Sequence, residues 1–294
     1  MTIVKSKQTA PNLDPNVWSL SPSGPCLRTN VHRVPAGHRA RRRRDRQWEF
    51  VDLATGQSRT LNGQSTAPVP LDPVNLGSDG HEWASYAAIT NPGDQPFTLS
   101  QATWVVPPTP LTNTNQTIYL FNCLQHDDPS GDTYILQPVL VFGGYPVPPG
   151  GEWNWTGGSW AIASFLVPGP SATDKRVFAS NGVVTVQPGD QLTGRISYQG
   201  QDPDTGNNLY SCGFVGYPST NLPASIESCD RCMVSLELWN VNDTSQLPPD
   251  TANTQFSNLQ TGIANELCGL GWQPDGPWRA VPVDQSTVDV VYPS

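Results

Sequence analysis

From about residue 80 onward, the sequence alternates short apolar runs with turn-forming residues every ten or so positions. Runs such as 97-FTLSQATWVVP-107 and 233-MVSLELWNV-241 are rich in β-branched and aromatic residues, and turns such as 187-QPGD-190 separate them. The chain has 30 Pro and 26 Gly, which fit many turns better than long helices. Repeated short strands with regular turns are typical of a β-sandwich or a β-barrel. We therefore predict an all-β fold.

Charge and pattern divide the chain into two parts. Residues 1–76 lack periodic apolar residues, apart from a segment, 47–61, that could form one hairpin, and we predict a basic, largely disordered arm or leader there. Residues 77–294 are predicted to form the sandwich domain. Residues 1–50 hold ten Lys and Arg against three Asp and Glu, whereas the remainder is strongly acidic. An acidic body repels nucleic acid and anionic membranes, so we expect neither as the partner of the main domain.

The arginine-rich stretch 38-HRARRRRDR-46 leaves three interpretations open. It could be a solvated tail, a nuclear signal or RNA contact, or a leader that docks on the acidic body and is cleaved at the arginine run. The opening residues lack the apolar core of a signal peptide, and no run approaches the length of a membrane span. Three Asn-x-Thr sequons suit a secreted chain but are close to chance, so the residues leave the localisation open.

The six cysteines of the chain include a closely spaced pair, 229-CDRC-232. A zinc site would need a second pair or nearby histidines at suitable spacing, and none follows. We expect structural disulfides among Cys212, Cys229, Cys232 and Cys268 if the protein meets an oxidising compartment. Free buried thiols and a metal site are the alternatives.

One apolar segment, 132-DTYILQPVLVFGG-144, contains a single amide, Gln137. Successive side chains of a strand alternate between its faces, so Gln137 shares a face with Ile135 and Val139, and the opposite face is also apolar. We predict a central strand that is covered on both sides. A buried amide without hydrogen bonds destabilises a protein by about 1–3 kcal/mol, so Gln137 should have a partner or a role.

The same alternation sorts the residues of 233-MVSLELWNV-241. Val234, Leu236 and Leu238 are predicted to face the core, whereas Ser235, Glu237 and Trp239 share the other side. Glu237 beside a tryptophan could line a cleft, or it could be a solvated residue of a half-exposed strand.

Several segments in succession resemble the glutamic peptidases of the eqolisin type; they are 82-EWASYAAIT-90, 103-TWVVP-107, 117-TIYLFNCLQHDDPSGDTYILQPVLVF-142, 160-WAIASFLVP-168, 187-QPGDQLTGRISY-198 and 236-LELWNVNDTSQ-246. The resemblance covers about residues 80–250. It implies a two-sheet antiparallel β-sandwich of the lectin-like, concanavalin A-like type, an extracellular location, and an endopeptidase that cuts proteins or peptides in acid without a cofactor. In that family a Gln that ends an Ile-Leu-Gln triplet is one half of the catalytic pair, and 135-ILQ-137 falls on this triplet.

The chemistry of such a pair needs a carboxylate as general base and a neutral amide that stabilises the oxyanion. The family glutamate lies in an Ala-Glu-Trp-Ile type motif, but Gly271 precedes Trp272 in the corresponding stretch here. Among the six glutamates, Glu266 is nearest to that position in sequence, and Glu237 is better placed by strand alternation. The candidate catalytic residues are therefore Gln137, Glu237 and Glu266.

The sequence is also compatible with two further classes of function. One is a non-catalytic, lectin-like module that binds carbohydrate or protein, which the tryptophans of 153-WNWTGGSW-160 favour because aromatic faces stack on sugar rings. The other is an interaction protein that uses exposed strand edges.

Overall fold

The structure is a computed structural model that describes residues 18–22, 24–63, 83–114, 116–127, 133–143, 158–169, 172–239, 241, 243–264, 266–267 and 271–293. Within these residues the strands are β1 (Trp18–Ser21), β2 (Gly24–Leu27), β3 (Val31–Arg33), β4 (His38–Arg42), β5 (Trp48–Asp52), β6 (Ser58–Thr60), β7 (Trp83–Thr90), β8 (Phe97–Val105), β9 (Thr117–His126), β10 (Tyr134–Gly143), β11 (Trp160–Pro168), β12 (Val177–Ala179), β13 (Val184–Val186), β14 (Gln191–Gln201), β15 (Asn208–Phe214), β16 (Tyr217–Ile226), β17 (Arg231–Trp239), β18 (Asn253–Ile263), β19 (Glu266–Leu267), β20 (Gln273–Asp275), β21 (Val281–Asp284) and β22 (Thr287–Val291). Two 3₁₀ turns, Arg28–Asn30 and Thr244–Gln246, are the helical elements of this part of the chain.

Two large sheets form the sandwich. The nine-stranded sheet has the order β20-β7-β17-β9-β10-β11-β12-β3, with β13 also on β11. The eleven-stranded sheet has the order β21-β22-β18-β8-β14-β15-β16-β4-β5-β6, with β19 also on β18. The predicted all-β sandwich is confirmed. Among the described pairings, all are antiparallel except β12 with β3 and β16 with β4.

The nine-stranded sheet is buried on both of its faces. Its inner face packs on the eleven-stranded sheet through residues such as Leu136 and Leu140, which share one apolar core with Ile196. Its outer face, turned away from the other sheet, carries a second apolar cluster that includes Ile135 and Val139. The prediction of a central strand covered on both sides therefore holds for β10, whose residues are all buried.

The two sheets approach each other closely at Gly194 on β14. A Cβ atom built there would lie 2.4 Å from Asn122 Oδ1 and 2.9 Å from Pro138 Cγ and from the ring of Trp104. A side chain would therefore force the sheets apart, which explains a glycine in the middle of this strand. Because Pro138 points into this contact, its neighbour Gln137 points to the outer face.

Within the predicted arm, residues 1–76, the described segments 18–27 and 31–60 form strands. Strand β3 extends the nine-stranded sheet, and β4, β5 and β6 extend the eleven-stranded sheet. The predicted hairpin within 47–61 is present as β5 and β6. Residues 1–17 and 64–76 lie outside the described residues, so the prediction stays untested there.

The arginines of β4 are held by carboxylates of the acidic body. Arg41 Nη1 lies 2.5 Å from Asp204 Oδ2 and 3.5 Å from Asp202 Oδ1, and its Nε donates to Glu49 Oε1 at 2.6 Å. Arg39 Nη2 lies 3.2 Å from Asp202 Oδ2. These ion pairs neutralise the arginines, which is why a strongly basic segment is an ordered strand. Of the three interpretations of this segment, docking on the acidic body fits these contacts.

The predicted disulfides are not present among the described cysteines. The five described cysteines, Cys26, Cys123, Cys212, Cys229 and Cys232, are all buried, and Cys268 lies outside the described residues. Burial raises the pKa of Cys123 and Cys229 well above the ordinary range, so these thiols stay protonated.

The described residues also contain no group of His, Cys, Asp and Glu that could hold a metal ion. Among the described helical turns, none has the length and apolar character of a membrane span.

Candidate functional site

Gln137 lies on the outer face of the nine-stranded sheet, in the middle of β10. Its side chain is 1 % exposed, and its Oε1 atom has no hydrogen-bond partner within the described residues. Phe165 of β11 stands directly opposite, and the register on either side of Pro138 places Cys123 of β9 on its other flank. Gln137 is therefore a buried amide in an apolar setting, as its strand predicted.

No carboxylate occupies a position next to Gln137 on this described face. Its flanking positions are Phe165 and Cys123, and its neighbours along the strand are Ile135 and Val139. Because the Cys123 thiol is protonated, it supplies neither a base nor a thiolate nucleophile. Gln137 alone therefore offers hydrogen bonds but no group that could activate water.

Glu237 also lies on the outer face, and it is fully buried. Its Oε1 accepts a hydrogen bond of 2.5 Å from Trp239 Nε1, two residues along β17. The pairing register places Tyr119 of β9 and Trp83 of β7 on its two flanks. Glu237 is thus not the solvated residue of a half-exposed strand; it is a carboxyl group enclosed by three aromatic side chains.

The electrostatics of this aromatic pocket reflect its burial. Burial, and then the charge of Glu237, raises the pKa of Tyr119 well above its usual value. The Tyr119 hydroxyl therefore stays protonated and can act only as a neutral hydrogen-bonding group. A buried carboxyl beside neutral donors is the type of environment in which proteins hold functional acids.

The N-terminal hairpin of β1 and β2 lies against this part of the outer face. A Cβ atom at Gly24 would be only 2.8 Å from the Trp239 ring, so the hairpin backbone contacts the tryptophan directly. Cys26 belongs to the same apolar cluster as Tyr119 and Trp239. The chain therefore covers its own aromatic pocket with two short extended segments.

Gln137 and Glu237 share one face but lie on strands that are not adjacent. Met233 is the β17 residue in the row of Cys123, and Glu237 lies four residues further along β17. Strands are about 4.8 Å apart and residues rise about 3.3 Å along a strand, so the two Cα atoms are about 16 Å apart. A base and an oxyanion donor must both reach one carbonyl group, so the two side chains would have to extend toward each other across this interval.

Glu266 is placed on the other sheet. It lies in β19, which pairs with β18 of the eleven-stranded sheet, and it is exposed. It is therefore remote from the outer face that carries Gln137 and Glu237. The structure brings together two of the three candidate catalytic residues on one face, and Glu266 is not one of them.

The sequence suggested that the tryptophans of 153–160 stack on sugar rings, and the structure describes only residues 158–160 of this segment. Trp160 is 1 % exposed and packs between the two sheets against Phe142, with ring centroids 5.2 Å apart. It is therefore a core residue and offers no face to a sugar. Trp153 and Trp155 lie outside the described residues.

The comparisons with known proteins give structural neighbours only. No family model matches the sequence, and no curated protein matches it. Among solved structures, the chain is similar to Scytalido-glutamic peptidase with a peptide-based transition state analogue (TM-score 0.41, 14 % identity) and to SCP-B, a member of the eqolisin family of peptidases, in complex with the tripeptide Ala-Ile-His (TM-score 0.41, 12 % identity). Each match covers 73 % of this chain and 100 % of the other. At this level of similarity, no residue role passes from those enzymes to this chain.

The sequence-based prediction missed the aromatic enclosure of Glu237. Trp83 and Tyr119 come from strands that are distant in the sequence, and only the pairing register places them beside Glu237. The available signal was local: Trp239 follows Glu237 by two residues, and a strand places such residues on one face.

Proposed function

We propose that this protein is a peptide-binding β-sandwich whose binding site is the outer face of the nine-stranded sheet around Glu237. The observation that carries the proposal is the hairpin of β1 and β2, because this extended segment of the chain already lies on that face at Trp239. A face that receives extended backbone from its own chain has the shape needed for another peptide.

The chemistry of the outer face supports a peptide as the ligand. Aromatic and aliphatic side chains supply apolar contact, and Glu237 supplies a carboxyl group. Three buried oxygen atoms on this face have no hydrogen-bond partner within the described residues: Gln137 Oε1, Thr117 Oγ1 and Ser235 Oγ. Amide and hydroxyl groups of this kind pair with the N–H and C=O groups of a peptide backbone.

Two glycine substitutions test whether the hairpin occupies the peptide site. Gly24→Ala should loosen the hairpin, because the new methyl group would meet the Trp239 ring at 2.8 Å. A fluorescein-labelled peptide with the sequence of residues 18–27 should then bind about tenfold more tightly than to the unmodified protein, as measured by fluorescence anisotropy. A tenfold rise in affinity corresponds to about 1.4 kcal/mol of binding free energy. This is the amount by which the intact hairpin is expected to oppose peptide binding.

Gly37→Ala is the matched control. Gly37 also has a positive φ, +74° against +94° for Gly24, but nothing lies within 4 Å of its Cβ position. Both alanines carry backbone strain, and only the one at position 24 meets Trp239. Peptide binding that is absent from all three proteins, or equal in the two variants, would contradict the proposed site.

Acid endopeptidase activity is the second candidate function. It is favoured by one observation, that Gln137 and Glu237 project from the same face of the sheet. It ranks below peptide binding because the two residues lie on strands that are not adjacent, with β9 between them, and both side chains would have to extend toward one scissile carbonyl.

The peptidase candidate is tested with a denatured protein substrate between pH 2 and 7. If the pair hydrolyses peptides, Gln137→Ala and Glu237→Gln should each lower kcat by about 10²- to 10³-fold, because each removes one half of the machinery. Glu266→Gln is the control, since Glu266 lies on the other sheet and should keep full activity. Absence of cleavage by the unmodified protein and by Gly24→Ala would leave peptide binding without hydrolysis.

A further inference from the structure

The sequence contains an Asn-Gly step at Asn62–Gly63 and another at Asn181–Gly182. In such a step the backbone nitrogen of the glycine can attack the side-chain carbonyl carbon of the asparagine, because glycine has no side chain to hinder the approach and its backbone turns freely. The sequence alone makes the two steps equivalent. The structure distinguishes them by the freedom that it leaves to the attacking nitrogen atom.

Hydrogen bonds hold the backbone of Asn181–Gly182 in place. The Gly182 N–H donates to the Ser219 carbonyl oxygen at 2.8 Å. The Gly182 carbonyl oxygen accepts from Ser180 Oγ at 3.0 Å, and this Oγ accepts from the Ser164 N–H at 3.1 Å. An attack by the Gly182 nitrogen must first break its bond to Ser219 and turn the peptide group, so the fold opposes the reaction.

Packing fixes Gly182 as well. A Cβ atom built on this residue would lie 2.6 Å from Ser219 Cβ and 3.0 Å from Ser219 O. The Gly182 backbone is therefore pressed against the segment that contains Ser219. The Asn181 side chain is exposed, but its exposure does not free the nitrogen that would have to attack it.

Asn62 and Gly63 follow the end of β6 and are held far less. Leu61 donates its N–H to the Trp48 carbonyl oxygen at 2.9 Å, whereas the Gly63 N–H has no hydrogen-bond partner among the described residues. Both Asn62 and Gly63 are exposed, and nothing lies within 4 Å of the Gly63 Cβ position. The Gly63 nitrogen can therefore turn toward the Asn62 side chain without breaking a described contact.

We propose that Asn62 is a site of spontaneous deamidation in the folded protein, whereas Asn181 is protected. The Gly63 nitrogen forms a bond to Asn62 Cγ, and the bond from Cγ to the side-chain nitrogen breaks. That nitrogen takes the Gly63 proton and leaves as ammonia. Water then opens the cyclic imide. Cleavage at Cγ gives aspartate, and cleavage at the backbone carbonyl carbon of residue 62 gives isoaspartate, in which the main chain runs through the side chain.

The position of Asn62 allows the folded protein to tolerate this change. Deamidation adds a negative charge after β6, and isoaspartate also adds a methylene group to the main chain. Strand β6 lies at the edge of the eleven-stranded sheet, where β5 is its partner. The altered residue therefore lies outside the sandwich core, and we expect the isoaspartate form to accumulate in folded molecules.

Peptide mapping by mass spectrometry, after incubation of the full chain in mildly alkaline buffer, tests the proposal. In the folded protein Asn62 should react about tenfold or more faster than Asn181, because the bond to Ser219 and the packing of Gly182 oppose only the second reaction. A protein isoaspartyl methyltransferase should label the peptide that contains residue 62. Asn62→Gln should abolish this labelling, because the longer side chain does not form the same imide.

The same chain unfolded in guanidinium chloride is the matched control, because both glycine nitrogen atoms are then free. The two rates should agree within a few-fold in the unfolded chain. Unfolding should therefore accelerate the reaction of Asn181 strongly and that of Asn62 only slightly. Equal rates at the two sites in the folded protein, or an Asn62 that reacts only after unfolding, would overturn the proposal.

Ser180→Ala tests the protection of Asn181 within the folded protein. It removes the hydroxyl group that holds the Gly182 carbonyl oxygen, so the Asn181 rate should rise several-fold. The Asn62 rate in the same molecules is the internal reference and should stay unchanged. An Asn181 rate that does not rise would contradict the proposed protection.

Discussion

Asp202→Asn should lower the free energy of unfolding by about 3–5 kcal/mol. Asp202 is 1 % exposed, and its carboxylate meets Arg39, Arg41 and the hydroxyl of Ser225, which donates to Oδ2 at 2.8 Å. An asparagine keeps the size but not the charge, so two nearly buried guanidinium groups would lose their common counter-ion. Urea unfolding, followed by circular dichroism, measures the change.

Asp204→Asn provides the matched comparison for this effect. Asp204 also contacts Arg41, at 2.5 Å, but its side chain is 67 % exposed. Exposed ion pairs contribute about 0–1 kcal/mol because water and salt screen them. Equal losses in the two variants would mean that burial of Asp202 is not what makes its ion pairs important, and that β4 is held to the sandwich in another way.

Trp239→Ala should lower the free energy of unfolding by a similar amount, about 3–5 kcal/mol, and should also release the hairpin of β1 and β2. The substitution removes the ring that contacts Gly24 and the N–H group that donates to Glu237. Urea unfolding measures the stability, and hydrogen exchange in residues 18–27 reports the release of the hairpin.

Trp278→Ala is the control for the second prediction, because Trp278 is 39 % exposed and its loss should change stability far less. If Trp239→Ala lost less than about 1 kcal/mol and residues 18–27 stayed protected, Trp239 would not be the anchor of the hairpin. The proposed peptide site would then lose its main support.

Strand alternation predicted the faces of the site strands correctly. Val234, Leu236 and Leu238 do face the inner core, and Gln137 does share the outer face with Ile135. These predictions succeed because the period of two is a local property of any strand. The sequence alone could not give the separation of Gln137 and Glu237, because that depends on how β17, β9 and β10 pair.

The arginine-rich segment shows why local pattern fails elsewhere. The run of charged residues suggests that Arg41 and Arg42 are solvated, but both are buried in β4. Glu49 is a nearby partner of Arg41, but Asp202, Asp204 and Asp174, which also contact these arginines, lie more than a hundred positions away. A composition that suggests a disordered arm is compatible with an ordered strand when distant residues neutralise its charges.

The prediction of disulfides from cysteine spacing failed for a related reason. Spacing such as that of Cys229 and Cys232 shows that two residues are close in sequence, but not that their side chains can meet. Both side chains are buried within the inner core, where cysteine packs as a small apolar residue.

The two parallel pairings have a consequence for the biosynthesis of the chain. Strand β3 pairs with Val177–Ala179, and β4 pairs with residues of β16 near Ala224, so both early strands must wait for late partners. At about 5–20 residues per second, a ribosome needs roughly 10–40 s to bridge the interval between β4 and β16. Until Tyr134 and Phe178 are made, Trp48 and Phe50 lack the rings on which they pack, and the growing chain presents an apolar, arginine-rich segment to chaperones.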